Sequence, residues 1–471
     1  MKYKLILLLI LIGINPIENM FAQVTKTDYF MKSSYLRNSL NPALTPDQGY
    51  LVVPVMPNIG VNAQTNTFNL DHLTFRNSDG NRVSFMHQDI DVNRFLSRLS
   101  DDNYTSVDVN IKLFGLGFVK DDVYWNFDMG IRTHVDLNMP KPFFALLKEG
   151  FAQEEQTRYD LSDLRATGYS FLELGTSYAR YATPHLKVGT RVKILGGLAD
   201  FNLNAKSLNI DAGPEYWKAQ SKVTLNGSAP RVRPKYDKKG NLDGFSFSDS
   251  FNFSGFGTGV DIGAEYDMIE LFPALEGLKL SLALNDIGFV YWTKDNTINL
   301  ESPETDVIVR PSDYSLYKDG ESSLSDVLTD AFDDIKEAVN LREVKRSGRF
   351  TKLRLNTNIG LEYELFPRKL TVGALYSIRF GNYFNLSEFT LSLNYRPNSW
   401  LATSASYSIN HSQFDNMGLA LHITPKRGIN LFLASDYAIP RISSEFIPTT
   451  SRGLNLQLGI SIPLGKGESF W

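Results

Sequence analysis

The segment Gly453-Leu454-Asn455-Leu456-Gln457-Leu458-Gly459-Ile460-Ser461-Ile462-Pro463-Leu464 alternates strictly between apolar and small or polar residues. Leu454, Leu456, Leu458, Ile460, Ile462 and Leu464 share one side; Asn455, Gln457, Gly459, Ser461 and Pro463 share the other. A period of two is the side-chain repeat of a β-strand. Soluble strands average about five or six residues, whereas a tilted strand that crosses a membrane needs about 9–11. The length therefore points to a wall strand of a membrane barrel.

The same pattern recurs upstream. In 400–410, Leu401, Thr403, Ala405, Tyr407 and Ile409 oppose Ala402, Ser404, Ser406, Ser408 and Asn410. In 353–363, Leu353, Leu355, Thr357, Ile359, Leu361 and Tyr363 oppose Arg354, Asn356, Asn358, Gly360 and Glu362. Counting such runs gives fourteen: 49–57, 104–118, 122–136, 169–182, 186–197, 255–267, 277–287, 350–364, 369–380, 387–396, 400–410, 415–424, 428–437 and 453–464.

From the second run onward, every other connection is short. Five of these carry a proline, namely Pro184, Pro273, Pro367, Pro397 and Pro425, and the sixth is Val119-Lys120-Asp121-Asp122. Proline pre-sets a turn and cannot sit in a central ladder. The connections opposite include the long stretches 58–103, 137–168, 198–254 and 288–349. Short turns on one rim and long loops on the other are the layout of an outer-membrane barrel, and an even strand number returns both termini to the short-turn side. That side is expected to be periplasmic.

The N-terminus agrees. Lys2 and Lys4 precede an apolar run from Leu5 to Ile14, and Ala22-Gln23 offers a cleavage point, which reads as a secretory signal. A run of this length cannot span roughly 30 Å of hydrocarbon. The chain has no cysteine, which excludes disulfides, thiolate chemistry and a lipidated cysteine anchor. A net charge of -4 gives no basic footprint for nucleic acid.

If apolar residues face lipid, the opposite set lines the lumen. That set contains Asp108, Lys112, Asp128, Arg132, Lys187, Arg191, Lys193, Asp261, Glu265, Arg354, Glu362 and Arg379, with both signs present. Gly115, Gly189, Gly259, Gly263, Gly360, Gly373 and Gly459 fall on the same face and would leave room for an internal element. Two helical insertions are expected in the long loops, one from Ser325 or Asp326 to residue 340 and one near Val92 to Leu99.

Catalysis finds no support. His72, His87, His134, His185, His411 and His422 have no ligand spacing, so neither a metal nor another cofactor is expected. No Gly-x-Ser-x-Gly elbow occurs. The stretch Gly255-Phe256-Gly257-Thr258-Gly259 lies within a strand pattern and is no phosphate loop. His134 with Asp136 and His411 with Asp415 read as chance neighbours rather than rim dyads.

Before the first strand lies a stretch too rich in aromatics and leucines for a loose tail, including Tyr29, Phe30, Tyr35, Leu36 and Leu40. A lumen of about fourteen strands is too wide for wall side chains to fill, so this segment is expected within the periplasmic mouth as a plug or hatch. The run Ser33 to Gln48 with its Asn41-Pro42-Ala43 core, and Leu51-Val52-Val53-Pro54, resemble a family of uncharacterised outer-membrane barrels of Bacteroidota-type bacteria. More distantly the layout is similar to the long-chain fatty-acid transporter superfamily, which includes barrels attached to the type IX secretion system. None of that superfamily's ligand-binding residues matches a position here. Where such barrels often end on an aromatic, this last strand ends at Leu464, and Phe470 and Trp471 follow a polar tail.

The expected organisation is a signal peptide over 1–22, a plug over 23–48, an all-β transmembrane antiparallel barrel over 49–464 and a tail over 465–471. The expected function is passive transport of hydrophobic or amphipathic small molecules across the outer membrane, without enzymatic activity and in contact with outer-membrane lipid. The competing expectation is a plugged structural or secretion-associated barrel that binds partner proteins through its large loops.

Overall fold

The computed structural model describes residues 25–464, apart from 67–73, 79, 81, 88, 121, 150–155, 214–215, 237, 239–241, 248–251, 304–305, 310–338, 382, 411–412, 426–427 and 438–452. Fourteen wall strands close into one antiparallel barrel. Strand β1 has two pieces, Gly49–Val52 and Asn58–Thr65. It is followed by β2 (Asp102–Lys120), β3 (Val123–Pro140), β4 (Arg165–Tyr181) and β5 (Leu186–Ala212). Next come β6 (Gly255–Asp267), β7 (Leu278–Trp292), β8 (Arg349–Lys352 and Asn356–Phe366) and β9 (Leu370–Phe380). The wall is completed by β10 (Asn385–Asn398), β11 (Leu401–Asn410), β12 (Gln413–Ile423), β13 (Asn430–Ser435) and β14 (Gly453–Leu464). Both pieces of β1 lie between β14 and β2: Leu51 is opposite Ile462 and Leu116, and Val61 is opposite Leu456 and Val109. Among the described residues every wall strand pairs with a neighbour on both sides, as a closed sheet in hydrocarbon requires.

The two faces separate as the alternation requires. On β14, Leu454, Leu458 and Ile462 are exposed while Asn455, Gln457 and Ser461 are buried. The outward row continues around the wall through Ile194, Leu282, Leu361, Leu391, Leu419 and Leu433. An apolar belt this extensive on a closed sheet is a lipid-facing surface, not a solvated one. Exposed aromatics gather near the strand ends, with Trp125, Phe366, Tyr395 and Trp400 toward the short turns and Phe256, Tyr291, Phe350 and Phe380 toward the long connections. Such rings favour the interface between hydrocarbon and headgroups.

Three sequence expectations need correction. The first strand does not run through 49–57: it breaks at Val53–Pro57, where Pro54 and Pro57 cannot donate to a ladder, and resumes to Thr65. The stretch 198–254 is not simply loop. Strand β5 runs for 27 residues, about 90 Å at roughly 3.3 Å per residue, and its end pairs with the hairpin strand Trp217–Ser228. Leu353 does not face lipid; β8 is interrupted between Lys352 and Asn356, and Leu353 is buried.

Beyond the membrane the strand extensions support a second core. Helix α1 (Val92–Leu96), capped by Asp91 accepting the Arg94 N–H, buries Phe95 against Phe85, Phe75 and Phe144. Helix α2 (Lys141–Glu149) adds Phe143, Leu146 and Leu147, and Trp217, Ile298 and Leu300 close the cluster. The helix expected over 325–340 falls largely outside the described residues.

Candidate functional site

Residues 25–47 run inside the barrel. Short 3₁₀ turns at Lys26–Asp28 and Leu36–Ser39 fold the segment on itself, so its aromatics point in several directions. Met31, Tyr35 and Leu36 pack on Tyr50, Val52, Ala402, Ala420, Phe432 and Ala434 of the wall. Tyr29, Phe30, Leu40 and Leu44 gather around Leu375. Two glycines make this approach possible: any side chain at Gly189 would run into the backbone of Pro42, and one at Gly373 into the Phe30 ring.

Polar contacts fix the register of the segment. Gln457 Oε1 accepts the Thr25 N–H at 3.0 Å. The Asp436 carboxylate accepts the N–H groups of Lys26 and Thr27, at 3.0 and 2.9 Å, and the Thr27 hydroxyl at 2.7 Å. Asn285 and Asn358 both donate to the Leu40 carbonyl, at 2.7 and 2.8 Å. Ion pairs join Lys26 to Glu388, Lys32 to Glu364 and Asp47 to Arg396. Asp28 is enclosed by the segment itself and accepts from Ser34 at 2.7 Å; burial pushes its carboxyl up to about 7, against the opposing pull of Ser34 and Arg37.

Next to the segment, β2 to β7 carry a charge network. Arg191 forks onto Asp128 at 2.7 and 2.5 Å and reaches Glu173 at 2.8 Å. Arg132 forks onto Asp286 at 2.7 and 2.8 Å and meets Glu173 at 3.0 Å. Lys193 bridges Asp261 and Asp286 at 2.7 and 2.6 Å, and Lys112 lies 3.6 Å from Asp128. The cations Lys112, Arg132, Arg191 and Lys193 thus face the carboxylates Asp128, Glu173, Asp261 and Asp286, four against four. Toward the long connections a second group forms. His134 sits between Asp108 (2.8 Å) and Asp136 (2.9 Å), Arg379 donates to Asp108 at 2.7 Å, and Arg354 stands 3.6 and 3.7 Å from the two carboxylates.

The opposite wall is neutral for most of its length. Thr390, Ser392, Asn394, Ser404, Ser406, Ser408, Asn416, Asn455 and Gln457 point inward and are buried. Among the described residues, neither polar atom of the Asn62 side chain finds a hydrogen-bond partner, nor does Ser404 Oγ. Beside Lys26 lies a polar cavity of about 20 Å³, bounded by Gln64, Tyr104, Asn356, Arg379, Glu388 and Asn410. That volume suits about one water molecule, not a hydrophobic solute.

Among the residues singled out by sequence, Asp108, Lys112, Asp128, Arg132, Arg191, Lys193, Asp261, Arg354 and Arg379 fall in these two groups. Lys187, Glu265 and Glu362 do not. Lys187 donates to Thr45 of the N-terminal segment, Glu265 lies opposite it in the ladder, and Glu362 stands 3.8 Å from Lys32. His134 and Asp136 do touch, as part of the charged group with Arg354. Glu173, Asp286, Glu388 and Asp436 escaped the sequence reading. Glu388 shares its strand parity with Thr390 and Ser392, and that signal could have found it. Glu173 shares parity with inward Tyr169 and Phe171, which blurs the face. Asp286 adopts a left-handed φ of 63°. Before it Ala283 and Asn285 point inward; after it Val290 and Trp292 do, so simple alternation assigns it the wrong side. His411 and the Asp415 side chain lie outside the described residues.

Comparison with known proteins gives one family and several distant structures. The family model described as a family of unknown function, DUF5723, matches residues 42–436. The Pseudomonas putida toluene transporter TodX aligns with a TM-score of 0.37 at 9% identity, covering 91% of this chain and 92% of that one. A TodX deltaS2S3 mutant monoaromatic hydrocarbon channel aligns at 0.41 and 8%, covering 94% and 96%. A Pseudomonas aeruginosa FadL homologue aligns at 0.36 and 11%, again covering 94% and 96%. No curated protein sequence matches.

Proposed function

The chain belongs to the DUF5723 family of unknown function, and from its barrel we propose a gated outer-membrane transporter for hydrophobic or amphipathic small molecules. Residues 25–47 serve as the hatch, the short-turn rim with both termini faces the periplasm, and the long connections face outward. One observation carries this reading: Met31, Tyr35 and Leu36 of the segment occupy an apolar patch of the lumen formed by Val52, Ala402, Ala420, Phe432 and Ala434. A lumen built only as a polar strut would not present such a patch. The hatch fills it in place of a solute, and no disulfide ties the hatch down, the chain having no cysteine. Release of the segment would exchange its own apolar side chains for those of a ligand at little net hydrophobic cost.

The test is conductance and uptake. The full-length protein in planar bilayers should be nearly closed, and deletion of 24–48 should give a steady conductance. Proteoliposomes of the deleted form should admit a fluorescent fatty acid faster than a charged sugar. A closed barrel in both forms would sink the transporter reading and favour a structural barrel.

A further inference from the structure

The long-connection rim of β6, β7 and β8 carries an excess of cations where lipid headgroups would lie. Phe256, Tyr291 and Phe350 are exposed on these three neighbouring strands, opposite one another in the ladders, with the Tyr291 and Phe350 rings 4.8 Å apart. Outward aromatic rings at strand ends mark the edge of the hydrocarbon. Just past them in the chain stand Lys294, after Tyr291, and Arg342, Lys345 and Arg346, before Phe350. A separate segment folds onto the same place. The Arg231 N–H donates to Asn296 Oδ1 at 3.0 Å, Arg346 reaches the Val232 carbonyl at 3.4 Å, and the Tyr236 hydroxyl accepts the Glu343 N–H at 3.2 Å. This brings Arg231 and Arg233 beside the others.

Among the described residues, Arg231, Arg233, Lys294, Arg342, Lys345 and Arg346 therefore meet three carboxylates: Asp295, Glu343, which is engaged by Arg346 at 2.6 Å, and Glu301, which lies opposite Arg342 in the ladder. Five of the six cations are exposed. Inside the lumen, by contrast, every cation of the main network is matched by a carboxylate. A cluster with this surplus of cations, bordering a lipid-facing aromatic patch, has a natural counter-charge in the membrane itself. Arginine forks bind phosphate bidentately, and cations near an anionic surface gain affinity individually.

We propose that this patch binds the phosphate groups of an anionic glycolipid headgroup of the outer leaflet, seated against the wall of β6 to β8. It rests on the outward orientation assigned to this rim but not on movement of the hatch. Detergent-solubilised full-length protein would be titrated with diphosphorylated lipid A, with dephosphorylated lipid A, with inorganic phosphate and with dextran sulfate. The variant Arg231→Gln/Arg233→Gln/Arg342→Gln/Lys345→Gln would be compared with a control changed at the opposite rim, Lys120→Gln/Arg180→Gln/Arg368→Gln/Lys369→Gln. Folding of each is checked by heat-modifiable gel mobility. At roughly fivefold for each of the four cations, the first variant should lose about six hundredfold in lipid A affinity while the control keeps it, and dephosphorylation should weaken binding to wild type comparably. Binding by the variant within about threefold of wild type, where the per-cation rule expects far more, overturns the proposal, as does indifference to dephosphorylation. Dextran sulfate binding that lipid A cannot displace would assign the patch to a soluble polyanion and overturn it equally. Because the readout is lipid affinity, a failed conductance test leaves this result unaffected.

Discussion

The wall of β2 to β7 and the wall of β9 to β14 line the same lumen with different chemistry. The first carries Arg132, Arg191 and Lys193 among Asp128, Glu173, Asp261 and Asp286, and these groups satisfy one another. The second carries serine, threonine and amide side chains, and its strongest partners belong to the N-terminal segment: Gln457 with Thr25, Asp436 with Lys26 and Thr27, His422 with Ser33. One half is cross-braced by its own charges and touches the segment through Asn285, Lys187 and Gly189; the other receives its first turns. Charge in a confined lumen is tolerable only where it is paired, and the two carboxylates of the second wall, Glu388 and Asp436, find their partners in the segment, at Lys26 and Thr27.

Four changes would break or sharpen this contrast. The largest effect is expected from Arg191→Met, which leaves Asp128 and Glu173 short of a buried partner. Removing one member of such a group costs about 3–5 kcal/mol, read as urea unfolding in micelles; a loss under about 1 kcal/mol, typical of exposed pairs, would mean the bracing is ornamental. Next, Gly189→Val should force the Pro42 region out of its seat at about 1–3 kcal/mol. Trypsin should then cut after Lys26, Lys32 or Arg37 while the barrel stays resistant, and protection unchanged from wild type would show that the segment is not seated against β5.

A smaller effect concerns pH. With its folded value raised to about 7, Asp28 contributes to docking in full below its unfolded value near 3.9. That contribution is lost as pH rises through about 7. Protease protection of 25–47 should therefore weaken from acid toward neutral pH, and Asp28→Asn should flatten the profile. The smallest effect belongs to the second wall: Ser404 Oγ is buried without a partner among the described residues, so Ser404→Ala should change stability by no more than about 0.5 kcal/mol. A loss above about 2 kcal/mol, the cost of leaving a buried partner unsatisfied, would reveal an unrecognised role for this hydroxyl.

Much of the fold was legible in the chain. Each of the fourteen alternating runs corresponds to a wall strand, because a strand between lipid and a polar lumen must alternate at every residue. Pro184, Pro273 and Pro367 fall at turns for the same local reason, whereas Pro397 stands in the irregular last residues of β10, just before the turn at Ser399–Trp400. Errors cluster where geometry departs from that repeat: the break at Val53–Pro57, the left-handed Asp286, the gap before Asn356 and the long extension of β5. The candidate site was legible only as a face. Parity named Asp128, Arg191 and Arg354 as inward, but not which carboxylate each would meet.

What the sequence by itself determined, then, was the kind of wall and the side of it on which each regular residue stands. Alternation and turn chemistry are local, and a membrane imposes them on every strand alike. Tertiary structure alone decided that Arg191 joins Asp128 to Glu173, that the Asp436 carboxylate receives the first turn of the N-terminal segment, and that Arg231 comes beside Arg342 and Lys345. Those pairings depend on strand tilt, on bulges and on how far each extension runs before it folds back, quantities that closure of the whole barrel sets and no single segment encodes.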